Sequence, residues 1–204
     1  VAVQVMAGYA LSRSDLPGRN IFMALFVFTM YFGGGLIPFY LVVKSLNLVN
    51  SRLLMVMLGC SSVYNIIIIR SFFVSTLPKE LQEAAFIDGC TNQRYFFSIV
   101  LPLSKAIIAV IALYALVAQW NSYFNAMIFL QNKAMRPLQL FLRDYLIASN
   151  VVDMSNVDFT TESMGLQELV KNSMILLSVL PLWILYPFIQ KYFVSGIMVG
   201  AVKG

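Results

Sequence analysis

Histidine is absent from this 204-residue chain, and cysteine occurs only twice, as Cys60 and Cys90. Without imidazole there is no His-based metal centre and no Ser–His or Cys–His nucleophile pair. One cysteine in an apolar run and one in a charged segment make no disulfide framework. Charge is also scarce: Asp, Glu, Lys and Arg make up 11% of the residues, against roughly 25% in soluble domains. No Gly-x-x-x-x-Gly-Lys-Ser/Thr loop is present to cradle the phosphates of ATP. Nor is there an internal repeat, a low-complexity tract, a separate soluble domain, or a polar basic run interleaved with aromatics for nucleic acid. No catalytic residue, metal ligand or cofactor is assigned, nucleic acid is not expected as a partner, and an enzyme is not expected.

What remains is apolar. Hydrophobic residues make up 60% of the chain and the mean hydropathy is +0.81. That is the composition of an integral membrane protein, and in hydrocarbon its long uncharged runs have to be helices. The net charge of +5 suits a membrane subunit facing anionic lipid. Residues 1–12 carry no charge but are too few to span a bilayer, which takes roughly 20. They read as the tail end of a membrane helix whose beginning is absent. Residues 21–43, 53–77, 106–130 and 172–190 are the four candidate spans. Gly33-Gly34-Gly35 and Pro38 interrupt the first of these, which predicts a broken or closely packed helix. Arg70, near the end of the second, reads as an arginine snorkelling to the interface.

Between the second and third spans, residues 77–102 carry Lys79, Glu80, Glu83, Asp88 and Arg94. At a bilayer centre each charge costs roughly 2.5–3.5 kcal/mol, so this passage lies outside the hydrocarbon. Its pattern predicts two short helices with a hinge. Pro78 suits a first helical position, Glu80 and Glu83 suit the positive end of the helix dipole, and Gly89 suits a C-terminal stop. Thr91 or Asn92 then caps a second helix through Tyr95, Phe96 and Ile99, and Leu101-Pro102 marks the turn into the next span. Glu83-Ala84-Ala85, three residues, Gly89, nine residues, Ile99, one residue and Leu101-Pro102 resemble, without a departure in spacing, the Glu-Ala-Ala loop of membrane subunits in bacterial ABC importers. The resemblance implies coupling helices that dock into a groove of a cytoplasmic ATPase. Glu83 would meet a basic residue there, Gly89 would make the bend, and Asp88 would support it.

A second cluster, Gln119-Trp120-Asn121-Ser122-Tyr123-Phe124-Asn125, sits in the third span. On a continuous helix Trp120, Tyr123 and Phe124 share a face and Asn121 stacks on Asn125. Amides beside aromatic rings are the chemistry a sugar needs. The same residue types also serve an interfacial aromatic belt with interhelical amide bonds, and by type alone both readings stand. A Trp-Asn pair followed by aromatics is similar to the carbohydrate branch of these importers. The substrate path is therefore expected to use Asn65, Gln119, Trp120, Asn121, Tyr123 and Asn125.

By this resemblance the chain is an all-α, polytopic transmembrane bundle of the type I ABC importer fold, of the maltose-permease G-like kind, N-terminally incomplete. It is one membrane domain over residues 1–204 in a bacterial inner membrane. Its implied partners are a second homologous permease, a cytoplasmic ATPase dimer that binds ATP and magnesium, an extracytoplasmic solute-binding protein, and membrane lipid. With residues 77–102 cytoplasmic, residues 131–171 fall outside, with an amphipathic surface helix over 137–147. The tail 191–204 returns to the hairpin's side, and its end is similar to sugar-importer permeases whose tails approach the ATPase dimer. Lys and Arg divide almost evenly between the two sides, so orientation rests on the motif. The competing class is a secondary transporter or channel without an ATPase, and the scarcity of acidic residues in the spans counts against it.

Overall fold

Apolar side chains offer main-chain N–H and C=O groups no partners, so the backbone bonds to itself and the runs become helices. A computed structural model describes residues 1–155 and 161–201, and every regular element among them is helical. In order these are α1 (Ala2–Ser12), α2 (Arg19–Tyr31), α3 (Leu36–Ser45), α4 (Arg52–Cys60), α5 (Val63–Thr76), α6 (Lys79–Ile87) and α7 (Asn92–Tyr95). A π-helical turn over Phe96–Val100, α8 (Leu101–Leu103), α9 (Lys105–Trp120), α10 (Tyr123–Phe129), a 3-10 turn at Lys133–Met135, α11 (Leu138–Ser155) and α12 (Thr161–Ala201) follow.

The centre of the bundle is a helix pair that glycine brings close. A Cβ placed on Gly8 of α1 would meet Cγ2 and Cβ of Ile69 at 2.6 and 2.8 Å, so only glycine lets α1 lie against α5 at this distance. Around that contact Val5, Ile69, Phe73, Tyr95, Phe96, Val100 and Ile111 form one buried cluster that joins α1, α5, α9 and the charged hairpin. A second cluster of Val43, Leu54 and Phe129 joins α3, α4 and α10, and Leu140 brings α11 to Ala126 and Leu130. The outer faces of α2, α3 and α12 are exposed and apolar, with Ile21, Tyr31, Ile37 and Trp183 among them. Large apolar patches of this kind belong against lipid or other helices.

Two helical stretches are long and apolar enough to cross a membrane, Arg52–Thr76 and Glu168–Pro187, among the described residues. Two more candidates are bent pairs: α2 with α3 turns by 115°, and Asn92–Leu103 with α9 turns by 79°. The first bend falls where the glycine triplet predicts a break, with Gly35 at φ 84°.

Four expectations need correction. The span 53–77 is interrupted at Ser61–Ser62, where the Ser62 hydroxyl accepts from the Asn65 N–H at 3.4 Å and starts α5 afresh. The span 106–130 is not one helix, because it breaks at Asn121–Ser122. The Asn121 side-chain amide donates to Val117 O at 3.0 Å and the Tyr123 N–H turns back to Asn121 O, so Asn121 and Asn125 do not stack on one helix. The turn into α9 falls at Ser104 (φ −102°, ψ 14°), two residues past Pro102, because the helical stretch Asn92–Leu103 runs on through Pro102 before the 79° bend. Pro78 is the residue before α6 rather than its first.

The surface helix over 137–147 extends as α11 to Ser155, and α12 begins at Thr161, so residues 131–171 are largely helical. Asp158 in that segment and residues 202–204 of the tail lie outside the described residues. The remainder of the tail continues α12 to Ala201, and Pro181 and Pro187 both lie within the helix.

Candidate functional site

The charged hairpin has one side packed into the core and one side facing outward. Helix α6 ends in a Schellman arrangement, in which the Cys90 N–H bonds to Ala85 O at 2.9 Å and the Gly89 N–H to Phe86 O at 3.0 Å. Gly89 holds φ 77°, a left-handed conformation that a side chain would disfavour. Asp88 is the residue at which α6 closes, and its side chain is exposed. The Thr91 hydroxyl accepts from the Arg94 N–H at 3.4 Å and starts α7. Ala85, Ile99 and Leu101 face the core cluster, as do Phe86, Tyr95 and Phe96. Glu83, Ala84, Asp88, Gly89 and Pro102 face away from it, and Ile87 beside them is 85% exposed.

Tyr9 and Arg13, which the sequence did not single out, hold this hairpin to α1. The Tyr9 ring lies 4.8 Å from Phe96 and 5.9 Å from Phe73, edge-on to the latter. The Arg13 guanidinium lies 5.5 Å from the centre of the Phe86 ring and donates to Tyr9 Oη at 3.0 Å. Its other nitrogens bind both carboxylate oxygens of Asp15, at 2.6 and 2.8 Å. That hydrogen bond holds the Asp15 carboxyl below its ordinary range. Burial pushes the Tyr95 hydroxyl up, so it stays neutral.

The second feature is a cavity of about 730 Å³ between α1, α4, α5 and the α9–α10 break. Its polar wall is made of Gln4, Ser61, Ser62, Asn65, Gln119, Asn121, Ser122 and Asn125, with Tyr64 and Tyr114, and among the described residues no charged side chain lines it. Buried Asn65 donates from Nδ2 to Oε1 of buried Gln4 at 3.2 Å. Both helix interruptions open onto this cavity, as expected for irregular backbone, which persists at depth only where protein or water covers it. Asn65, Gln119, Asn121 and Asn125 are brought together here, whereas Trp120 and Tyr123 are not in the lining. Trp120 Nε1 instead donates to Ser178 O at 3.1 Å and ties α9 to α12, and Tyr123 lies under Arg143, 5.7 Å from ring centre to guanidinium. Gln4 was missed because it lies in the short opening run, where a single amide between apolar neighbours carries no pattern.

The family described as "Binding-protein-dependent transport system inner membrane component" matches residues 4–199. The chain is 41% identical over 199 residues to the polygalacturonan/rhamnogalacturonan transport system permease protein YtcP of Bacillus subtilis, covering 98% of this chain and 69% of the relative. It is 31% identical to the arabinooligosaccharides transport system permease protein AraQ of Halalkalibacterium halodurans, over 98% of this chain and 66% of the relative. The chain thus spans about two thirds of these relatives' length. Among solved structures, a chain of a bacterial ABC transporter involved in the import of the acidic polysaccharide alginate superposes with a TM-score of 0.81 at 31% identity, over 95% of this chain and 70% of that one. The helical architecture, the ordered hairpin between spans and these matches agree: the chain belongs to the binding-protein-dependent inner membrane components and is a permease of the type I ABC importer fold.

Proposed function

We propose that this permease forms half of a path for a sugar or oligosaccharide, and that residues 77–102 transmit force to it from a partner ATPase. The observation that carries the reading is the division of the hairpin. Ala85, Tyr95 and Phe96 are buried in the core shared with α1, α5 and α9, while Glu83, Ala84, Ile87 and Asp88 stand in the open. A rigid elbow gripped by three helices moves them when it is pushed; a solvated loop does not. Glu83 offers a carboxylate to a basic residue of the ATPase, and Ile87 offers an apolar knob. The sequence carries no Gly-x-x-x-x-Gly-Lys-Ser/Thr loop, so ATP and magnesium are assigned to that partner. A second permease closes the open side of the cavity, and an extracytoplasmic binding protein delivers cargo.

The sugar assignment draws on the cargoes named for the relatives, all carbohydrates, and on the neutral amide and hydroxyl wall of the cavity. Amides that find their partners in a ligand's hydroxyls discriminate well, because the wrong ligand leaves them unpaired. In the full importer reconstituted with its ATPase, Glu83→Ala is expected to reduce arabinooligosaccharide or oligogalacturonide uptake at least tenfold while the subunit still folds. Unchanged uptake in that variant would remove the coupling role.

A further inference from the structure

Beside the lever lies a second, smaller hollow with the opposite chemistry. It measures about 290 Å³ and lies between the end of α1, the α1–α2 turn, the end of α5 and the first turn of α6. Four cations line it, Arg13, Arg19, Arg70 and Lys79, together with the hydroxyls of Ser12 and Ser14 and the amide of Gln82. Arg13 is already committed to Asp15 and Tyr9. Arg70 donates from Nε to Leu11 O at 3.2 Å, and among the described residues its terminal nitrogens have no hydrogen-bond or ion-pair partner. Among the described residues no carboxylate lies within ion-pair distance of Arg19, Arg70 or Lys79.

Three cations without an ion-pair partner among the described residues line one hollow. With the Ser12 hydroxyl already donating to Tyr9 O at 2.7 Å, the guanidinium forks, the Lys79 ammonium and the Ser14 hydroxyl are the donors that fit a tetrahedral oxyanion. We propose that this hollow binds a phosphate group, as the headgroup of an anionic lipid or as free phosphate, and so braces the α1–α2 turn against the coupling helix. The binding claim stands on the cations alone; that the ligand stiffens the lever rests on the coupling role proposed above. Lys79 is in the first turn of α6, so a ligand held there touches the lever directly.

The test uses the complete permease, purified with the subunits that accompany it, in nanodiscs of phosphatidylcholine with one quarter phosphatidylglycerol. Arg19→Gln with Lys79→Gln removes two cations and leaves the Arg70–Leu11 bond in place. Lys105→Gln with Lys133→Gln removes the same charge away from the hollow. Native mass spectrometry is expected to show phosphatidylglycerol retained by the wild type and the distant pair, and at least tenfold less on the hollow pair, at unchanged melting temperature. In a second arm, without anionic lipid, millimolar inorganic phosphate is added and protection of Lys79 from amine-reactive acetylation is read. Lipid retention with no phosphate protection assigns a lipid headgroup, and protection without retention assigns free phosphate. Equal loss in both charge-matched pairs, or neither retention nor protection, overturns the proposal. Because neither readout requires transport, it can fail while coupling through Glu83 survives, and the converse also holds.

Discussion

Gly8 shows how much one missing side chain can determine. A methyl group on Gly8 would stand 2.6 Å from Ile69 Cγ2, too close to fit, and both atoms in the way are anchored at the base of a fully buried side chain. Gly8→Val is expected to separate α1 from α5 at about 1–3 kcal/mol, the usual range for overpacking, with Gly8→Ala milder. A thermal melt in detergent checks this, and an unchanged midpoint would mean the two helices are not this close. Gly89 is different, since nothing stands within 4 Å of it and only its φ of 77° is restrictive. Gly89→Ala is expected to cost about 1–2 kcal/mol in the hinge, read as faster amide exchange at Cys90. Asp15 gives a pH dependence. Its carboxyl is held low in the folded state, so its contribution is complete above the ordinary carboxylate range and disappears as pH falls through the lowered value. With the Asp15 side chain 58% exposed, the pair is worth about 0–1 kcal/mol, and Asp15→Asn is expected to flatten that part of an acid melting profile.

Among the elements, the interrupted helices were the hardest to read. The glycine triplet announces the α2–α3 break through residue type alone, because glycine alone tolerates Gly35's φ of 84°. Ser61–Ser62 and Asn121–Ser122 announce nothing, because serine and asparagine also occur within helices. Their side chains compete for main-chain groups only when a cavity lets the backbone open. Trp120, just ahead of the Asn121–Ser122 break, bonds to α12 and is not in the cavity's lining. Trp120→Phe, which loses the bond to Ser178 O, is expected to cost about 0.5–1.5 kcal/mol and to speed exchange in α12 around Ser178. No change there would disconnect the two helices. The hairpin was far more legible, since charge excludes it from hydrocarbon and its turn residues have few other conformations to adopt. Even so, its pattern did not separate Ala85, Ile99 and Leu101, which anchor, from Glu83, Ala84 and Asp88, which project.

For the molecule as a whole, the apolar exterior determines what it can sit in. The chain has two tryptophans: Trp120, half buried, and Trp183, 71% exposed on α12. Brominated lipids are expected to quench Trp183 fluorescence in nanodiscs and to lose most of that quenching in Trp183→Phe. Equal quenching in that variant would place α12 away from lipid, against another helix.

Composition alone determined that this chain lives in a membrane and is helical there, because solvation energies depend on residue type wherever the residue falls. The ordered hairpin was equally fixed by local chemistry, since caps, turn glycines and charges act over a few residues. Only the tertiary structure decided which amides share a cavity and which cations share a hollow. Gln4 and Asn65 lie 61 positions apart, and Arg19 and Lys79 meet only once α1 has packed on α5. Such meetings depend on how helices bend and how closely they approach, and no short stretch of sequence carries that distance.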